Sequence, residues 1–234
     1  MTAPAFVPVA YCEEQTRADF VVRVYQHLAI AVVAFIAVEA LFLRTGLAEA
    51  AYDLVAANSA AWLLVLGGFM LVSWLATAAA HDLLNPSRQY AGLFGLVLAE
   101  ALIFAPFLHY IFDVQSGGAS TVWAAAAVTV AGFVGLSAVA FTTRKDLSFL
   151  RPILLWAGVC ALLLIVAAVL FGLDLGVWFS LAMIALAGGS ILYQTQAIMR
   201  EYPPDAHVGG AVQLFASVML LFWYVLRLFS QLRG

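Results

Sequence analysis

Few side chains in the apolar part of this sequence could do chemistry, and Glu100 is the foremost of them. It lies near the middle of the apolar segment Tyr90–Phe112. A carboxyl group at such a depth has to be protonated, paired with a cation or wetted. We expect Glu100 either to titrate in a functional site or to act as a neutral, hydrogen-bonded structural group. Glu39 lies nearer the end of its own segment, where we expect it to reach water.

Uncharged polar side chains recur in the last two apolar segments. Gln194 belongs to a polar run in Gly176–Met199, and Gln213 and Ser217 lie four residues apart in His207–Phe229. Residues four apart share one face of a helix, so these groups could meet between two helices. We predict a neutral, hydrogen-bonded cluster, in which each bond contributes about 0.6 to 2 kcal/mol.

Three charges, Arg144, Lys145 and Asp146, are concentrated in the loop Phe141–Leu150 between two apolar segments. Lys and Arg near helix ends are retained on the cytoplasmic side, so the motif could simply set the topology. Asp146 or Ser148 would then cap the following helix. The same charges could instead contact a protein partner, and both interpretations stay open.

The sequence carries no sign of catalysis or of metal binding. It contains no Gly-rich phosphate loop, nucleophile elbow or paired carboxylates, so we expect no catalytic residue, no cofactor and no enzyme. Ten Lys and Arg against thirteen Asp and Glu, with no basic patch, exclude nucleic acid as a partner. The histidines fall near segment ends without a metal-ligand spacing, so we expect interfacial side chains and no metal site. They are His27, His81, His109 and His207.

These side chains must be positioned by membrane helices. A chain that is 65% hydrophobic and 10% charged is typical of a polytopic, all-α membrane protein surrounded by lipid. We predict a cytoplasmic tail over residues 1–23 and one seven-helix domain over residues 24–234. The seven predicted helices are Val24–Leu43, Ala60–Ala80, Tyr90–Phe112, Ser120–Phe141, Leu150–Phe171, Gly176–Met199 and His207–Phe229.

The last helix should be an inner element of the bundle. Its polar and small side chains recur every three or four residues, which gathers them on one stripe. Lipid cannot satisfy amides or hydroxyls, so the stripe should face other helices or a wet cavity. The other side carries Phe215, Phe222 and Phe229, which are left to lipid or apolar packing. The stripe consists of Gly210, Gln213, Ser217, Leu220, Tyr224 and Arg227.

The basic residues predict that the amino terminus is cytoplasmic. With this orientation seven Lys and Arg lie inside and Arg44, Arg227 and Arg233 lie outside. Seven crossings then leave the carboxyl end outside. An even number, with one re-entrant segment, stays open as the alternative. The inner basic residues are Arg17, Arg23, Arg88, Arg144, Lys145, Arg151 and Arg200.

Three strings of the sequence resemble the Bax inhibitor-1 family, and most of all its bacterial YccA-like branch. They are FTTRKDLSFL, GGSILYQTQAIM and AVQLFASVMLLFWYVLRL, in that order. The resemblance implies seven helices with the last one enclosed by the other six, in a bacterial inner membrane. It also implies a calcium leak, or modulation of a membrane-anchored quality-control protease.

The sequence departs from the family at the residues that carry the calcium chemistry. In the leak proteins two acidic residues on the last two helices share a proton and pair with an arginine on the second. Here Gln194 and Ser217 match the acidic positions, and Ala60–Ala80 contains no arginine. All three charges are missing together, which leaves no buried arginine unpaired.

Three functions follow as hypotheses. The first is a non-enzymatic regulator that contacts another membrane protein, such as the quality-control protease. The second is a calcium or cation leak channel in which Glu100 replaces the missing acidic pair. The third is a transporter of another kind.

Overall fold

The computed structural model describes residues 7–57, 59–143 and 145–233. Within them the chain forms eight α-helices, preceded by a 3₁₀ turn at Val9–Tyr11 and interrupted by a π turn at Tyr110–Val114. The helices are α1 (Glu14–Thr45), α2 (Leu47–Ala57), α3 (Ser59–Ala80), α4 (Pro86–His109), α5 (Gly118–Thr142), α6 (Leu150–Phe171), α7 (Gly176–Glu201) and α8 (His207–Arg233).

In the described residues, seven of these helices are long and apolar enough to cross a membrane, namely α1 and α3 to α8. They confirm the seven predicted segments. The first begins at Glu14 and not at Val24, because the charged residues before Val24 continue the same helix. The bundle therefore has an amino-terminal end, where α1 begins, and a carboxyl-terminal end, where α8 finishes.

Helix α2 was not predicted, because its residues lie in the segment between Val24–Leu43 and Ala60–Ala80, which was taken to be a connecting loop. Gly46 adopts a φ of 76°, which ends α1 in the left-handed conformation. The next residues, Leu47–Ala57, contain neither Gly nor Pro and are rich in Ala and Leu, a composition that favours a second helix. Helix α2 packs against α4, with the ring of Tyr52 centred 5.3 Å from that of His109.

Helix α8 is the central element, as predicted. It contacts α1, α3, α4, α5 and α7. Phe215 is completely buried and Phe222 is 9% exposed, so the phenylalanine side packs in the core and not against lipid. Burial of large apolar side chains on opposite sides of one helix is typical of a helix enclosed by others.

Helices α3 and α4 approach most closely at Gly92. A Cβ atom there would lie 2.5 Å from the carbonyl oxygen of Ala76 and 2.9 Å from the nitrogen of Ala80. Small residues permit such backbone contact between membrane helices. Helix α4 runs on through Pro106 to His109, and the π turn follows, so Pro106 does not end the helix.

Candidate functional site beside helix α8

The polar groups predicted to meet between the last two helices do so at one point. Ser217 of α8 donates a hydrogen bond from Oγ to Oε1 of Gln194 of α7 over 2.7 Å. Ser217 is buried and Gln194 is half-buried. The helices approach closely at Gly210, where a Cβ atom would lie 3.3 Å from Cγ2 of Ile198. The two residues that the resemblance matched to acidic positions are thus directly hydrogen-bonded here, and neither side chain carries a charge.

The neighbouring polar residues are arranged differently. Ser190, which lies four residues before Gln194, donates its hydrogen bond within α7, to the carbonyl oxygen of Leu186 over 3.0 Å, which is the usual local bond of a helical serine. Gln213 is half-buried and faces a cavity together with Gln194. The direct bond of the cluster is therefore the one between Gln194 and Ser217.

A first cavity of about 700 Å³ lies beside α8 and is walled by α3, α4, α6, α7 and α8. It extends from Asp174 and Arg227, near the carboxyl-terminal end, to Gln194 and Ser217. Most of its other lining residues are apolar. Glu100 and Ser73 contribute polar groups to its wall.

A second cavity of about 530 Å³ continues towards the amino-terminal end. It is more polar than the first, and its wall includes Arg151, Tyr193, Glu201 and Gln213. Ser190 and Gln194 line both cavities. Both cavities therefore reach the level of the Gln194–Ser217 hydrogen bond, the first from the carboxyl-terminal end of the bundle and the second from the amino-terminal end.

The two intramembrane glutamates have different surroundings. Glu100 is only 6% exposed and its side chain lines the first cavity. In the described part of the chain its carboxyl group has no hydrogen-bond or ion-pair partner. An isolated buried carboxyl group in a membrane is costly, so such residues are functional candidates.

The prediction that Glu39 reaches water was wrong. Glu39 is 4% exposed, and both of its oxygens are enclosed without a hydrogen-bond partner among the described residues. The reason is its place on α1. It continues the buried stripe Phe20, Val24, Leu28, Ala31 and Phe35, which faces the interior of the bundle.

The charged loop before α6 is held by α7. Gln196 accepts a hydrogen bond from the Leu147 N–H over 2.7 Å and donates one to the Lys145 carbonyl over 2.9 Å. Arg200 pairs with Asp146 at 3.0 Å. The side chains of Lys145 and Asp146 remain exposed. Arg144, the third residue of the motif, lies outside the described residues.

Neither Asp146 nor Ser148 caps α6 as expected. Phe149 occupies the N-cap position without a side-chain hydrogen bond. Asp146 Oδ1 instead accepts from the Ser148 N–H over 2.9 Å within the loop. That hydrogen bond, aided by Arg200, lowers the pKa of the Asp146 carboxyl group.

His81 directly follows α3, His109 ends α4 and His207 begins α8, as expected, whereas His27 lies well inside α1, because that helix begins at Glu14. His27 is hydrogen-bonded to the Tyr90 hydroxyl, and His81 to the Tyr202 hydroxyl, both over 3.0 Å. Burial raises the pKa of Tyr202 to about 12, which keeps the hydroxyl protonated. The ring of His207 is centred 4.9 Å from that of His27. Near the other end, His109 lies 3.0 Å from Asp113.

Sequence reasoning missed the aromatic wall of the first cavity. Trp62 and Trp223 stack at 5.9 Å, and Phe104 meets Trp223 edge-on at 4.9 Å. Trp62, Leu66 and Phe69 recur at helical spacing on α3, so one signal was present. That signal does not distinguish a cavity wall from ordinary packing.

The fold and the site define the chain as a polytopic helical membrane protein, in which a central helix borders two cavities that share lining residues. The sequence profile of the family described as "Inhibitor of apoptosis-promoting Bax1" matches residues 17–234. The chain therefore belongs to this family, the Bax inhibitor-1 family.

Bacterial relatives agree with this assignment. An uncharacterised protein of Pseudomonas aeruginosa is 32% identical over 150 residues, which cover 62% of this chain and 65% of that protein. An uncharacterised protein of Neisseria meningitidis serogroup A is 26% identical over 191 residues, covering 80% of this chain and 82% of that protein. The chain thus spans just under two thirds of the first of these relatives and most of the second.

Proposed function

We propose that the protein is a non-enzymatic cation leak pathway of the bacterial inner membrane, with calcium as the ion. The observation that carries this proposal is that two cavities beside α8 share Ser190 and Gln194. An ion entering from either end would have to pass only the level of the Gln194–Ser217 bond.

The charges along the cavities support a cation as the permeant ion. Glu100 faces the first cavity and has no described partner, and Asp174 lies at its rim. Carboxylate oxygens are the ligands that calcium prefers. The mostly apolar wall resists wetting, and hydrophobic constrictions restrict conduction. Conduction should therefore be slow, as in a leak.

The distribution of basic residues gives the proposed orientation of the protein in the membrane. We infer that the amino-terminal end is cytoplasmic, because most Lys and Arg residues belong to it. The second, more polar cavity would then open towards the cytoplasm through Arg151 and Glu201. The first cavity would open on the opposite side through Asp174 and Arg227.

The test is calcium flux into liposomes that contain the purified protein. Glu100→Gln should reduce the flux, because it removes the carboxylate from the pathway. Glu39→Gln is the matched control, since Glu39 is equally buried but lines neither cavity. Equal flux for native protein, Glu100→Gln and Glu39→Gln would contradict a role for Glu100.

A second candidate function is regulation of another membrane protein, such as a membrane-anchored quality-control protease of the kind associated with the YccA-like branch. One observation favours it. Gln196 and Arg200 hold the loop after α5 in place while the side chains of Lys145 and Asp146 stay exposed. An ordered, charged loop can contact a partner without first losing conformational entropy.

Affinity capture from native membranes, followed by mass spectrometry, tests the second candidate. If the loop contacts a partner, neutralising Lys145 and Asp146 should remove the captured protein while leaving the membrane topology intact. A change of reporter topology with every captured protein retained would mean that the loop serves topology alone.

A further inference from the structure

We propose that the first cavity binds a lipophilic organic cation, whose charge pairs with Glu100 and whose apolar groups contact the rings of Trp62, Phe104 and Trp223. This inference rests on the same cavity as the proposed leak. It concerns equilibrium binding, which is measured without an ion gradient.

The size of the cavity suits a small organic molecule. Its volume of about 700 Å³ falls within the range of roughly 300 to 1,000 Å³ that is usual for ligand sites. Such sites have mostly apolar walls and a few polar groups that orient the ligand. Here the wall is apolar and aromatic, with Glu100 as its buried carboxyl group.

The charge of the ligand follows from the surroundings of Glu100. This side chain is 6% exposed, faces the cavity and has no ion-pair partner in the described part of the chain. A cation in the cavity would provide that partner, and an anion would be repelled. The cavity wall also contains a cation, Arg227, at the rim of the cavity and about 15 Å along α8 from Ser217. Its guanidinium carbon is 5.9 Å from the centre of the Phe179 ring, so this group contacts an aromatic face.

The aromatic side chains favour an organic cation over a metal ion. Phe104 lies one helical turn after Glu100 on α4, and its ring meets that of Trp223 at 4.9 Å. Trp62 stacks on Trp223 at 5.9 Å. Aromatic faces attract organic cations most strongly where water is excluded, and tryptophan is the best of them.

The helices on the open side allow a ligand to enter from the membrane. Helix α6 walls the cavity through Leu162, Ile165 and Val169, which are only half-buried. Among the described residues of α6, the buried ones are Ala161 and Ala168. A lipophilic cation can partition into lipid and approach the cavity from the side of α6, whereas a hydrated ion cannot enter lipid.

Binding of tetraphenylphosphonium to the protein in lipid nanodiscs tests the proposal, with quenching of tryptophan fluorescence and equilibrium dialysis as readouts. Tetraphenylborate, an anion of the same shape, is the matched ligand control. We expect saturable binding of the cation and at least about tenfold weaker binding of the anion, which corresponds to about 1.4 kcal/mol.

Variants of Glu100 test whether its carboxylate is the group that pairs with the bound cation. Glu100→Gln should weaken tetraphenylphosphonium binding by about tenfold or more, whereas Glu100→Asp and Glu39→Gln should retain it. Size-exclusion chromatography of each variant verifies folding. Absence of saturable binding, equal binding of both ions, or undiminished binding by folded Glu100→Gln would overturn the proposal. Binding of the cation by a protein that conducts no calcium would leave this inference standing and contradict the leak alone.

Discussion

Ser217 and Gln194 are joined by a hydrogen bond of 2.7 Å at the level that both cavities beside α8 reach. Neither side chain ionises in the physiological range. The resemblance to the family implies a titratable pair at these positions in its leak proteins, with an arginine on the second membrane helix. This chain has a neutral pair instead, and its α3 contains no arginine.

The neutral pair should make the junction insensitive to pH. In a Glu100→Gln background, we expect equal calcium flux at pH 6 and pH 8, and Gln194→Ala in that background should stay equally flat. Introducing Gln194→Glu together with Ser217→Asp should create a pH response, because two adjacent carboxyl groups share a proton and titrate as a pair. A steep response that survives Glu100→Gln and vanishes with Gln194→Ala would refute this account.

Loss of the Gln196 amide should release the charged loop. Gln196→Ala removes its bonds to Lys145 and Leu147, each of which contributes about 0.5 to 1.5 kcal/mol net. We expect faster amide exchange over residues 145–150, measured by mass spectrometry. Gln15→Ala is the control, since Gln15 makes an exposed bond to Asp19 within α1. Unchanged exchange in Gln196→Ala would mean that the loop is held by other contacts.

The same loop should loosen in acid. Asp146 accepts the Ser148 N–H and lies beside Arg200, and both lower its pKa in the folded protein. A lowered pKa stabilises the folded loop above the ordinary aspartate range, and this contribution is lost as pH falls through the folded-state pKa. Protection of the Ser148 amide should therefore fall below about pH 4. In Asp146→Asn it should be weaker at neutral pH and lose this dependence.

Two glycines of α4 provide a matched test of the α3–α4 contact. Gly92→Ala would place a Cβ atom 2.5 Å from the carbonyl oxygen of Ala76, so it should destabilise the protein by about 1 to 3 kcal/mol, as overpacking does. Gly95→Ala meets nothing within 4 Å and should be neutral or stabilising by up to about 1 kcal/mol. Thermal unfolding in detergent measures both. Equal midpoints would contradict the close approach.

The helices and the inward stripe of α8 could be predicted because they are properties of single segments. Apolar length identifies the spans, and helical spacing brings Gln213 and Ser217 to one side. The same reasoning could have placed Glu39 inside, since it follows Phe35 and Ala31 on the buried stripe. The prediction for Glu39 failed because it considered how far along the helix the residue lies and not which face of the helix it occupies.

The cavities and the Gln196 hydrogen bonds that hold the charged loop could not be predicted, because they depend on how separate helices are placed. The first cavity is enclosed by residues of α3, α4, α6, α7 and α8, and no pattern within any one of these helices encodes it. In the sequence, Gln196 is simply one member of the polar run that also contains Gln194. That its amide reaches Lys145 and Leu147 follows from the register of α7 against the loop.

Calcium flux through a protein closed at the shared level of the two cavities tests the proposed leak most directly. Ser190 lines both cavities, so Ser190→Phe should fill the junction, whereas Leu181→Phe, on the exposed side of the same helix, should not. In liposomes we expect native protein and Leu181→Phe to conduct calcium alike, and Ser190→Phe to fall to the level of protein-free liposomes. Flux through Ser190→Phe equal to that of native protein, or native protein that conducts no more than protein-free liposomes, would contradict the account.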